Sequence, residues 1–265
     1  MGLNIIVCAK QVPDPEGPPS SFEVNASERK VKPRGIPPVI SPFDENALEA
    51  AIRIKESVGA FITLLSLGKS LSRAVILKAV AAGADASLLV EGDAFEPSDL
   101  DSSSTAYLLA AAIEEAGDYD LILCGRQAAD TNAGQVGLGL AGILGIPAIT
   151  LAQKVEVQDG RVRVERVLPD GYEVVEVPLP ALVTVSGELG DLRYPSLQAI
   201  KAAKALPQTV LGPDDLGVDP RGSARVETVA LETPSRERRC KLVEADTPEE
   251  AGRKLALILR QDKII

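Results

Sequence analysis

The segment Gly125-Arg126-Gln127-Ala128-Ala129-Asp130-Thr131-Asn132-Ala133-Gly134-Gln135-Val136 holds the densest set of ligand-competent groups in the chain. It follows an apolar run ending at Cys124 and leads into a helical pattern. That is the place where open α/β sheets bind ligands and where free backbone N–H groups favour phosphate. Small residues at Ala133 and Gly134 leave room for close approach, while Asp130, Thr131, Asn132 and Gln135 offer hydroxyl, amide and carboxylate partners. Such a set orients a ribose and an anionic group without acid/base machinery. An ordinary polar loop with a helix cap would have the same composition. Just downstream, Gly137-Leu138-Gly139-Leu140-Ala141-Gly142 matches the dinucleotide pattern G-x-G-x-x-G. The glycines of that pattern belong in the strand-to-helix turn. Here Val136, Leu140, Ile143 and Leu144 draw a helical stripe through them, so the glycines read as helix-packing positions.

The chain contains no histidine. Imidazole proton transfer, His-activated nucleophiles and His metal ligation are therefore outside its own chemistry. Its three cysteines, Cys8, Cys124 and Cys240, stand far apart with no Cys-x-x-Cys pair, so no zinc or iron–sulfur spacing is present. A net charge of −10 speaks against binding to a nucleic-acid backbone, which requires neutralisation by Lys and Arg, and against an anionic membrane surface. No run reaches the ~18 apolar residues of a membrane span. The apolar start at Leu3 without a charged leader, together with the sparse cysteines, predicts a cytoplasmic protein.

The elements that must position the loop follow from pattern. A chain of 265 residues accommodates two domains, or one α/β domain with a tail, at about 150 residues per domain. Apolar runs at Asn4–Ala9, Phe61–Ser66, Ser87–Val90, Asp120–Cys124 and Ala148–Leu151 predict strands buried on both faces, as in a parallel sheet. Between them lie helices. Ser41 is placed to cap one that has Pro42 at its first position and a buried stripe of Ala47, Leu48, Ala51 and Ile52, with Glu49 and Arg53 paired on its wet side. Ser70 is placed to cap a second, which carries Val75, Ile76, Ala79 and Val80 inward and stops at Gly83. Ser98 or Asp99 begins a third over Leu108, Leu109, Ala112 and Ile113. Asp159-Gly160 between Gln153–Gln158 and Arg161–Val167 predicts a hairpin, and Tyr172–Val177 and Ala181–Val185 supply further strands. Leu206–Thr233 reads as an extended arm that lies either against a partner subunit or folded back on its own domain. Thr247-Pro248-Glu249-Glu250 opens a last helix that carries Leu255, Ile258 and Leu259 inward. The expected organisation is an α/β domain over 1–205 and an arm with a helix over 206–265.

Several stretches together resemble the beta subunit of electron transfer flavoprotein over essentially the whole chain. They are Val7-Cys8-Ala9-Lys10-Gln11-Val12-Pro13-Asp14, Ser41-Pro42-Phe43-Asp44 through Ala50, the loop Gly125 to Gly137, Arg193-Tyr194-Pro195-Ser196-Leu197 with Ile200-Lys201-Ala202, and Asp215-Leu216-Gly217-Val218-Asp219. The resemblance implies a flavodoxin-like doubly wound, mostly parallel sheet with a β-hairpin insertion and an extended C-terminal arm. It also implies a non-catalytic partner of a larger alpha subunit, with FAD held mainly on that subunit and the arm packed against it. Electrons would pass between acyl-CoA dehydrogenase-like or other redox partners and an acceptor.

Carried over by position, Cys8, Ser41, Pro42, Phe43, Asp44, Leu67 and the loop residues Gly125, Arg126, Gln127, Ala128, Asp130, Thr131, Asn132, Ala133, Gly134, Gln135 and Val136 fall where the family contacts an adenine nucleotide. In one branch that nucleotide is a structural AMP; in the electron-bifurcating, NADH-oxidising branch it is the adenylate part of a second FAD. The spacing from Gln127 to Gln135 matches the bifurcating branch, whereas Thr131-Asn132-Ala133-Gly134 departs from it and lacks a hydroxyl at Ala133. Arg193, Tyr194 and Leu197 fall in the family's recognition loop, where a leucine plugs a pocket on a partner dehydrogenase. Without the resemblance, Leu197 would read as a core residue of a short helix. A stand-alone adenine-nucleotide sensor of the same α/β architecture is the competing function.

Overall fold

The computed structural model describes residues 2–220, 222, 224–233 and 240–265. In chain order the strands are β1 Leu3–Cys8, β2 Gln11–Pro13, β3 Phe22–Asn25, β4 Lys30–Pro33, β5 Pro38–Ile40, β6 Ala60–Gly68, β7 Ala86–Glu91, β8 Leu121–Gly125, β9 Ala148–Gln158, β10 Arg161–Leu168, β11 Gly171–Pro178, β12 Ala181–Val185 and β13 Gln208–Leu211. The helices are α1 Pro42–Val58, α2 Arg73–Gly83, α3 Ser102–Ala116, α4 Val136–Leu144, α5 Leu197–Ala203 and α6 Pro248–Gln261.

Nine strands form one sheet in the order β11-β10-β9-β12-β8-β1-β6-β7-β13. Pairing is parallel from β9 across to β13 and antiparallel only where β10 and β11 extend the β9 edge. Successive residues of each central strand face opposite layers, as the period of two requires. Ile5, Val7, Leu121 and Leu123 pack with α1 and α2, whereas Ile6, Cys8, Ile122 and Cys124 pack with α3 and α4. The expected doubly wound, flavodoxin-like α/β fold is thus observed. From β1 the chain winds outward through β6 and β7, then returns to place β8 on the other side of β1. The carboxyl ends of β1 and β8 therefore flank a topological switch point, where such sheets bind ligands.

Local chemistry explains most boundaries. Asp159 at φ 50° and Gly160 at φ 71° make the tight turn joining β9 to β10. The two short strands expected at Ala148–Leu151 and Gln153–Gln158 are one strand, β9, bent at Leu151 (φ 59°). Two helix starts differ from expectation. Ser72, not Ser70, precedes α2, and the Asp101 carboxylate caps α3 through the Ser104 amide at 2.7 Å. Asp101 also accepts from the amides of Arg225 and Val226, at 2.6 and 2.8 Å.

The stretch expected as an arm begins inside the sheet, since β13 pairs with β7 from Gln208↔Ser87 to Leu211↔Val90. To reach that edge, residues 186–207 pass along α1 and α2, with α5 packed on α2. The chain divides into compact units Met1–Leu231 and Glu232–Ile265, and residues 221, 223 and 234–239 of the expected arm lie outside those described. In the second unit, Thr247 caps α6 as expected, accepting from the Glu250 amide at 3.2 Å. Of the stripe expected to turn inward, Leu255 is 46% exposed, while Ile258 and Leu259 are half-buried. Among the described residues, no helix is long and apolar enough to cross a membrane.

Candidate functional site

The first turn of α1 reaches into the switch point. Asp44, 6% exposed, accepts from the Lys10 amide just past β1 and from the Gly125 amide at the end of β8, each at 2.8 Å. One carboxylate thereby ties both lips of the crevice to α1. Burial pushes the Asp44 carboxyl up to about 7, opposed by those two amide hydrogen bonds. A side chain at position 125 would not fit, because its Cβ would lie 2.6 Å from Asp44 Oδ1 and from the Phe43 carbonyl carbon.

Ser41 was expected to cap α1 with its hydroxyl, but it makes no such bond. Its Oγ instead accepts from the Ala129 amide at 3.3 Å and so holds the loop. Pro42 is exposed at the first position of the helix. Half-buried Phe43 carries the Arg126 guanidinium 4.6 Å from its ring centroid, in cation–π range. Lys10 Nζ pairs with Asp130 at 2.6 Å. Within the loop, Gln127 Nε2 donates to Asn132 Oδ1 at 2.8 Å, and Asn132 donates its amide to the Ala128 carbonyl at 2.8 Å. Asn132 at φ 53° and Gly134 at φ 63° turn the chain back toward α4. Thr131, Ala133, Gly134 and Gln135 stay exposed.

Two donor features border this loop. Among the described residues no side chain caps the amino terminus of α4, the helix's positive end. Arg126 Nε is buried with no hydrogen-bond partner among the described residues. An orphaned buried donor costs ~1–3 kcal/mol unless something accepts from it. The Arg126 charge also helps the Ser186 hydroxyl hold the Glu188 carboxyl below the usual range, the hydroxyl contributing more.

Cys8 and Cys124 are register neighbours beneath the crevice. Burial and then Asp44 push the Cys8 thiol up to about 12, and burial foremost raises Cys124 as well, so both remain thiols at neutral pH. Leu67 is less central. It lies one strand beyond β1 and lines a cleft of about 400 Å³ with Gln11, Val12, Pro38 and Leu71. The glycine-rich run occupies α4 as a packing surface. A Cβ at Gly137 would lie 2.7 Å from Cys124 Sγ, and one at Gly139 would lie 3.2 Å from Ala106 Cβ, while Gly142 faces open space.

The second expected cluster is separate from the crevice. Arg193 is engaged rather than free: its amide, Nε and Nη2 donate to Glu49 at 3.2, 3.1 and 3.0 Å, and it also pairs with Glu56. Tyr194 is 91% exposed and Leu197 is 80% exposed, which removes the core reading of Leu197. Glu49 was expected on the wet side of α1 and is instead buried. Helical spacing finds its Arg53 partner four residues on, but carries no signal for a partner 144 residues away.

Comparison with known proteins fits this arrangement. The electron transfer flavoprotein domain model matches residues 30–231. The electron transfer flavoprotein subunit beta of Thermoanaerobacterium thermosaccharolyticum is 40% identical over 89% of this chain and 90% of its own length. That of Bacillus subtilis is 32% identical over 99% of this chain and 100% of its own. Subunit CarD of the caffeyl-CoA reductase-Etf complex of Acetobacterium woodii is 36% identical over 82% and 81% respectively. A parallel sheet with its switch point opened by a polar loop, and relatives aligned along nearly the full chain, place this protein in the electron transfer flavoprotein family, among its beta subunits.

Proposed function

We infer that this beta subunit holds an adenine nucleotide, as AMP or as the adenylate end of an FAD, in the crevice between β1 and β8. The observation that carries this reading is the buried, unpartnered Arg126 Nε, on a loop that leads into a helix terminus with no side-chain cap. Both are donors without acceptors, and a phosphate is the acceptor that suits them. Arg126 and the loop amides near Ala133 and Gly134 would hold phosphate, with Gln127, Thr131, Asn132 and Gln135 toward the ribose. Asp44 and Ser41 fix the loop rather than touch ligand. Flavin, when bound to the complex, supplies the redox chemistry. This chain binds, orients and excludes water.

Beta subunits of this family pair with an alpha subunit. In our reading that subunit carries the principal FAD, residues 206–265 contribute to its interface, and Leu197 with Tyr194 docks an acyl-CoA dehydrogenase-like partner. A single exposed leucine beside a tyrosine anchors a small interface that can release quickly, as an electron carrier needs. The spacing from Gln127 to Gln135 favours a second version, in which the nucleotide is a second FAD in a bifurcating complex.

Extraction and chromatography of nucleotides from the copurified heterodimer test the proposal. One FAD with one AMP supports the carrier, and two FAD support the bifurcating version. A heterodimer with one FAD and no second adenylate would refute the crevice assignment.

A further inference from the structure

We propose that Glu49 is a positioning residue for partner docking, its buried carboxylate fixing the loop at 189–193 so that Tyr194 and Leu197 stand outward as a preformed feature. This rests on the docking role inferred for Leu197 and adds the group that holds Leu197 in place.

Glu49 is 4% exposed, on the second turn of α1. Its Oε1 accepts from Arg53 Nε at 3.0 Å and Arg193 Nη2 at 3.0 Å, and its Oε2 accepts from the Arg193 amide at 3.2 Å and Nε at 3.1 Å. Both carboxylate oxygens are thus filled. Burial alone would raise its pKa, but the Arg193 and Arg53 hydrogen bonds bring it below the usual range, so the group is ionised at neutral pH. The same face of α1 grips the loop twice more. Asn46 Nδ2 donates to the Gly190 carbonyl at 2.6 Å, and Arg53 Nη1 donates to that of Leu189 at 3.0 Å.

The loop's apolar residues divide accordingly. Leu189 is buried and Leu192 packs against the core, whereas Tyr194 and Leu197 point away from it. Beyond them the chain is fixed again, because the Ser196 hydroxyl caps α5 through the Ala199 amide at 3.1 Å, and Ile200 and Ala203 turn inward. The exposed pair therefore sits between two anchored points. An apolar residue at position 49 would serve helix packing without the desolvation cost of a buried charge. What the carboxylate adds is a definite position for Arg193. A docking leucine held in advance avoids the ordering cost that a mobile loop incurs on binding.

The test uses the assembled alpha–beta flavoprotein carrying Glu49→Ala, Arg193→Lys or Leu197→Ala. Amide hydrogen exchange over residues 187–197 is measured beside electron transfer from an acyl-CoA dehydrogenase reduced by its acyl-CoA substrate. Glu49→Ala should speed exchange at 189–193 and raise the KM for the flavoprotein by about tenfold, with kcat and extracted nucleotide unchanged. Arg193→Lys, which keeps the charge but loses the planar fork, should fall between. Leu197→Ala should raise the KM without altering exchange. Unchanged exchange in Glu49→Ala would overturn the clamp. Faster exchange with an unchanged KM, while Leu197→Ala still raises it, would overturn the positioning role and leave the docking role standing. If neither variant moves the KM, the docking role of Leu197 fails and the proposal falls with it.

Discussion

Asp44 and Gly125 meet across the sheet's switch point, the carboxylate of the first accepting the amide of the second at 2.8 Å. Its other oxygen takes the Lys10 amide, so the nucleotide loop, the end of β1 and the start of α1 share one buried acid.

That acid makes stability depend on pH in a defined direction. The carboxyl titrates near 3.8 in the unfolded chain and at about 7 in the folded one, because burial outweighs its two hydrogen bonds. Between those values the folded state holds a proton that the unfolded state has lost, so the Asp44 contribution to stability falls as pH rises from 4 to 7 and is level above. Asp44→Asn should abolish this slope. Urea denaturation of both proteins at several pH values measures the difference.

Arg126→Met is expected to move two properties in opposite directions. Removing an orphaned buried donor should leave the nucleotide-free protein at least as stable as the parent. Nucleotide retained through purification should drop severalfold, because the phosphate would lose its cation. Thermal melts and nucleotide extraction on the same preparation provide both readings.

The glycines of α4 make a paired test of steric fit. Gly137→Ala would set a methyl 2.7 Å from Cys124 Sγ and 2.9 Å from Thr184 Cγ2 and should destabilise by about 1–3 kcal/mol. Gly142→Ala meets nothing within 4 Å and should stabilise by about 0.5–1 kcal/mol through helix propensity. Equal effects of the two in chemical denaturation would contradict the packing role.

Leu197→Ala should change stability by no more than about 0.5 kcal/mol, since the side chain is largely in solvent. Its effect should be confined to partner kinetics, with the flavin spectrum of the complex unaltered. A large drop in melting temperature would show that Leu197 supports the fold.

The fold was legible where burial on both faces leaves an unbroken apolar run, as at Leu121–Cys124, and where a turn has only one good chemistry, as at Asp159-Gly160. Helix starts were less so. Ser70 and Ser72 are equivalent by residue type, and only the backbone path selects between them. Strand β13 was hidden because four residues are too few to show a period. Of the candidate site, its position after a buried strand could be read from pattern, but the Asp44 clamp could not, since Lys10 and Gly125 lie 34 and 81 residues away and donate through backbone. Likewise, the stripe on α6 announces an apolar face without saying that none of its residues is fully buried.

The long path from β12 to the far edge of the sheet has a mechanical consequence. Leu197 rides on a strap fastened at one end by α1 and at the other by β13, and β13 is held to the sheet on one side only, through β7. Segments held by few buried contacts open before the whole fold does. Electron delivery to a partner should therefore fade at a temperature below that at which the sheet itself melts, with the strap slackening while the crevice keeps its shape.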